Sequence, residues 1–133
     1  MDLITYDNEA QMGYMQVIPF SSNIQIESTD ELDENAPIMI DIDNQGRIVG
    51  IEFFGKSSDV LKELVKQKKI YHKKHYEDKI IYSFRVNSNA YLKMVSLKGI
   101  NFYFEDEMCT SFIGFDVIEV EKYDKCLLDS MSF

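Results

Sequence analysis

A chain of 133 residues with 45% apolar and 13% aromatic content has the length of about one domain and enough apolar surface for a core, which excludes compositional disorder. Its 23 acidic against 14 basic residues give a net charge of −9, which repels a phosphate backbone, argues against nucleic acid and favours a basic protein partner. No basic-then-apolar leader is visible and no apolar run approaches the roughly 18 residues of a membrane span, so the expectation is a soluble cytoplasmic protein without a membrane partner.

In chain order, Leu3–Tyr6 and Gly13–Ile18 read as strands around an Asp7-Asn8-Glu9 turn signal, and Asn23–Glu27 as a third strand. Thr29–Asn35 reads as an acidic loop closed by Pro37. Ile38, Ile40 and Ile42 alternate with Met39, Asp41 and Asp43, the period of a half-buried strand, and Ile48–Phe54 continues beyond a tight Asn44-Gln45-Gly46 turn. Ser57 or Ser58 is a candidate N-cap for a helix over 57–69, because Val60, Leu61, Leu64 and Val65 share one helical face and lysines crowd the far end. His72–Asp78 reads as a polar connection. Strand character returns at 80–86, 91–97, 100–105 and 112–121, before a short tail at 124–133.

The expected fold is therefore α+β, with mainly antiparallel β-meanders and one central amphipathic helix. The single domain divides into a first meander (1–55), the helix and a basic connection (56–79), a second meander (80–123) and the tail. Val49–Phe53 and Ile113–Val117 match in residue type. At the same spacing Ile38, Ile40 and Asp41 meet Phe102, Phe104 and Glu105. Gly13–Val17 resembles Ala90–Met94 at a longer spacing, which implies a 13-residue insertion in the first half. An internal duplication and a chance match between strands of similar composition both remain open.

Charge follows the same divisions. Residues 1–55 carry eleven acids against Arg47 alone, whereas 56–79 carry eight lysines against four acids. A solvated face accounts for the lysines. An anionic partner or a membrane surface, or pairing in trans with the acidic segment to form a homodimer, are the functional alternatives.

The segment Asp41–Glu52 has calcium-loop spacing: Asp41, Asp43, Gln45 and Glu52 at ligand positions, with Gly46 at the bend. The flanking period-2 pattern argues instead for a β-hairpin turn. His72 and His75 sit among lysines, which oppose zinc. Cys109 and Cys126 fit no metal or nucleophile motif and read as reduced thiols. No cofactor motif, phosphate loop or paired catalytic carboxylate stands out.

Residues 3–54 resemble a family of small bacterial domains of unknown function. The likeness rests on the Tyr6-Asp7-Asn8-Glu9-Ala10 opening, Tyr14 on the next strand, and the hairpin Asp41-Ile42-Asp43-Asn44-Gln45-Gly46-Arg47-Ile48-Val49-Gly50-Ile51-Glu52. The resemblance supports the hairpin and implies no activity. In the second half Gly114, Phe115 and Asp116 keep the signature, with Thr110 opposite Gly46.

The function expected from these features is non-enzymatic protein binding by an acidic cytoplasmic module, such as an immunity protein or antitoxin masking a basic toxin. Asp30, Glu31, Asp33, Glu34, Asp41 and Asp43 form the expected contact surface. A ligand- or calcium-binding module centred on 41–52, and a small enzyme with an unrecognised site, are the alternatives.

Overall fold

A computed structural model describes residues 3–21 and 23–133. The chain forms two compact units, Met1–Lys68 and Lys69–Phe133, each built on one five-stranded antiparallel sheet.

The first unit contains β1 (Ile4–Asp7), β2 (Met12–Gln16), β3 (Ile26–Glu31), β4 (Ile38–Asp43) and β5 (Ile48–Phe54), in the spatial order β1-β2-β5-β4-β3. Side chains alternate between faces along each strand, so the register decides which residues share the core. Ile4, Met15, Ile51 and Ile40 lie opposite one another in one row across four strands, and Gly13, Phe53 and Ile38 form the next. All seven are buried. Leu61 covers this face where Gly13 leaves room. A β-carbon at Gly13 would lie 2.7 Å from its Cδ1. Burying one such aliphatic side chain contributes about 1.5–3 kcal/mol.

The second unit contains β6 (His72–Tyr76), β7 (Lys79–Arg85), β8 (Lys93–Leu97), β9 (Ile100–Phe104) and β10 (Phe112–Val117), in the order β6-β7-β10-β9-β8. Two short helices follow, α1 (Val120–Tyr123) and α2 (Lys125–Ser130). Its core row is Phe84, Phe115 and Phe102. The ring centroids of Phe115 stand 5.5 Å from Phe84 and 5.9 Å from both Phe102 and Tyr71, the spacing at which tilted aromatic pairs attract. Asp124 caps α2 by accepting from the amides of Cys126 and Leu127, and buried Leu128 faces the core.

The expected central amphipathic helix is not formed, and the α+β description gives way to a mostly antiparallel β fold with helix in small pieces. Residues Gly55–Leu64 make a 3₁₀ helix. Ser58 does not cap it as an N-cap residue would. Its hydroxyl donates back to the Gly55 carbonyl, three residues earlier, at 2.6 Å. Of the four apolar residues at helical spacing only Leu61 is fully buried, too little packing to hold a regular helix through the lysine-rich end.

Neither sheet is a meander. The connection after β2 carries the chain past the centre, and the last strand of each unit returns to fill the middle position. Register also corrects the expected residue matches. Across the central strands Ile40 answers to Phe102 and Asp41 to Tyr103, while Gln16 answers to Arg85. The Tyr91 segment leads into β8, the counterpart of β3 rather than of β2, so the inferred 13-residue insertion shrinks to seven residues between the matched positions. His72–Asp78, expected as a connection, contains edge strand β6.

Candidate functional site

The six acids expected to form one contact surface occupy four different environments. Asp30 and Glu31 belong to β3, not to a loop, and every residue of that strand is exposed. Asp30 lies opposite Ile40 and Glu31 opposite Met39, so they project from opposite faces of an edge strand. Asp33 is half-buried and accepts from the Asn35 amide at 3.1 Å, while Glu34 is exposed in the same turn.

Asp43 is withdrawn from any surface. It is 1% exposed, and one carboxylate oxygen accepts from the Gln45 and Arg47 amides at 3.0 and 2.9 Å. The other meets the Arg47 guanidinium at 2.9 Å from Nε and 2.8 Å from an Nη. Burial alone would raise its pKa, but the Arg47 amide, the guanidinium and the Gln45 amide together lower it. Gly46 supplies the left-handed position of this turn at φ +74°. The arrangement is a locked hairpin, and among the described residues no group of three or more His, Cys, Asp or Glu is placed to hold a metal. Asp106 plays the same part between β9 and β10, accepting from the Thr110 and Ser111 amides at 3.0 and 2.9 Å. Here Cys109, at φ +58°, takes the place of Gly46, not Thr110 as the sequence spacing suggests.

Asp41 belongs to a polar cluster that the sequence reading did not assemble. Tyr14 reaches across Gly50 on β5 and donates to Asp41 at 2.7 Å, and Thr29 donates to the other oxygen at 2.6 Å. Tyr14 also stands opposite Glu52. Burial first, then the hydrogen bond to Asp41 and the charges of Asp41 and Glu52, push the Tyr14 pKa well up. The second sheet repeats the theme beside Gly114. Asp116 accepts from Ser83 at 2.6 Å, from Tyr103 at 2.9 Å and from Arg85 at 2.8 Å. Burial and the Asp116 charge push Tyr103 up to about 12. Burial opposes ionisation of Asp116, yet the Arg85 and Ser83 contacts lower its pKa overall. At neutral pH the tyrosines are therefore neutral donors and Asp116 a fixed carboxylate, an arrangement suited to tying strands together. The available signal was Tyr14 and Glu52 at positions that share a face once β2 pairs with β5.

Two expected outcomes follow from this geometry. A β-carbon at Gly50 would lie 1.6 Å from the Tyr14 hydroxyl oxygen, so Gly50→Ala should displace the phenol and cost about 1–3 kcal/mol. Adding Tyr14→Ser, which gives the first sheet the residue type found at Ser83, should recover part of that loss. Equal urea midpoints for the single and double variants would show that the clash lies elsewhere.

Acid should also weaken the fold. Asp43 and Asp116 have pKa values below the usual carboxylate range, so their stabilisation is complete above that range. It is lost as pH falls through the lower folded values. Urea midpoints should be flat near neutrality and drop below about pH 4, with a shallower drop for Asp116→Asn. The same acid slope in the variant would remove Asp116 from the account.

The two histidines are separated by an odd step along β6 and so project from opposite faces; His72 stacks on Phe133 at 4.7 Å. Cys109 is buried and Cys126 exposed, and neither forms a disulfide. No helix among the described residues is long and apolar enough to cross a membrane.

Residues 3–57 match a family model described as protein of unknown function, DUF2283, a stretch that takes in all five strands of the first sheet. Over 118 residues the chain is 30% identical to the uncharacterized protein YuzE of Bacillus subtilis (strain 168), covering 88% of each protein. No solved structure matches. With that likeness running through both sheets, the chain belongs to the same family as YuzE, bacterial proteins of unknown function, and carries the DUF2283 pattern in its first sheet.

Proposed function

We propose that this protein is a non-enzymatic, cytoplasmic protein-binding module that takes a basic partner on the acidic edge of its first sheet. An immunity protein or antitoxin masking a basic toxin is the concrete form of this reading. One observation carries it: β3 ends its sheet, is exposed along its whole length, and bears Glu27, Asp30 and Glu31, with Glu34 exposed just beyond. An unpaired strand edge offers backbone donors and acceptors to an incoming strand, and the surrounding charge selects the partner. Asp41 and Asp43 do not belong to this surface. Asp41 anchors the Tyr14 and Thr29 hydroxyls, and Asp43 locks the turn.

The test is affinity capture from the source cell with tagged protein, comparing the native chain with a triple variant carrying Glu27→Gln, Asp30→Asn and Glu31→Gln. A basic protein should be retained by the native chain, released by salt, and absent from the variant eluate. Retention of the same protein by both chains, or only salt-insensitive capture, would overturn the reading.

A further inference from the structure

We propose that the acidic edge β3 of one copy pairs with the basic edge β6 of a second copy, so that the protein associates with itself through strand addition. The inference goes beyond partner binding and requires no other protein.

Both strands end their sheets: among the described residues β3 is hydrogen-bonded to β4 and β6 to β7. All residues of both strands are exposed. Edge charges ordinarily prevent association because like edges repel. Here the two edges carry opposite signs. β3 bears Glu27, Asp30 and Glu31, and β6 bears Lys74 beside Lys73, whose ammonium already meets Asp129 of its own unit at 3.1 Å, so among the described residues of the strand Lys74 carries the uncompensated positive charge. Each edge therefore rejects its own kind and attracts the other.

Backbone geometry supplies a register. The Leu32 amide bonds inward to the Ile38 carbonyl, so by alternation Glu31 and Thr29 turn their amides outward. In the second unit Tyr71 bonds outward to Met131 and Phe133, so Lys73 and His75 also face outward. An antiparallel pairing that places Asp30 opposite Lys74 places Glu31 opposite Lys73. It also brings these outward-facing groups of the two strands together. The C-terminal bridge of Ser132 at Tyr71 stops short of this stretch. Because the contact joins two different edges, it closes into a ring or dimer, or extends as a chain of copies.

Sedimentation velocity of the purified full-length protein tests this. Mass should rise with concentration at low salt, and the apparent dissociation constant should weaken at least about tenfold between ~50 mM and ~500 mM salt as screening shortens its range. Lys74→Glu and Asp30→Lys, both at exposed positions, should each abolish association, and combining them should restore it by exchanging the signs. A monomer at every concentration and salt overturns the proposal. So does association that survives high salt, or single variants whose loss the combined variant does not repair.

Discussion

Arg47→Ala is expected to destabilise the first unit by about 3–5 kcal/mol, the range for removing one partner of a buried ion pair. Asp43 is 1% exposed and Arg47 9%, so the substitution strands a carboxylate with the amides of Gln45 and Arg47 but no counter-charge. Converting Asp43 to Asn in the same chain should recover part of the loss, since an amide avoids the buried charge. The deficit should also narrow in acid, where protonation neutralises the stranded group. Urea unfolding followed by tyrosine fluorescence suits a chain with eight Tyr and no Trp. A loss below about 1 kcal/mol would place this pair among surface ion pairs.

Gly114→Ala is expected to cost the second unit about 3 kcal/mol, the upper end of overpacking penalties. The added carbon would lie 2.0 Å from the Phe84 carbonyl oxygen and 3.0 Å from the Arg85 Cα. At Gly50 the obstruction is a side chain that can swing aside. At Gly114 it is backbone of the paired strand β7, and β10 is held by β9 on its other edge. Relief requires separating strands at the centre of the sheet. The urea midpoint should fall further than for Gly50→Ala, and the reverse order would mean that the β7–β10 pairing is softer than its register implies.

The strands legible in the sequence are those with at least one buried face. Ile38, Ile40 and Ile42 announce β4, and Ile100, Phe102 and Phe104 announce β9, because alternate residues must be apolar to meet a core. The edges lack this constraint. β3 is exposed throughout and begins later than its composition suggests, while β6, His-Lys-Lys-His-Tyr, carries no period at all and reads as a loop. The helix error has the opposite cause: Val60, Leu61, Leu64 and Val65 have helical spacing, but a pattern counts only if the core has room for it, and Leu61 alone enters fully. The hairpin at Asp43–Arg47 was readable from Gly46 and the turn residues. Its Arg47 lock was not, because nothing local indicates which nearby carboxylate a guanidinium will meet. Tyr14, Thr29 and Asp41 meet only through pairing across four strands, which spacing along the chain does not reveal.

The strand order has a consequence for synthesis. In each unit the central strand is the last to leave the ribosome, so β1-β2 and β3-β4 emerge as two separate hairpins with no common sheet. The arrival of β5 supplies both missing ladders at once, and β10 does the same for the second unit. A nascent chain halted just before Ile48 would expose two unmatched strand edges, a species prone to aggregation. One halted after Phe54 would have every strand of its first sheet. The time spent translating the few residues between those points sets how long the growing chain is vulnerable.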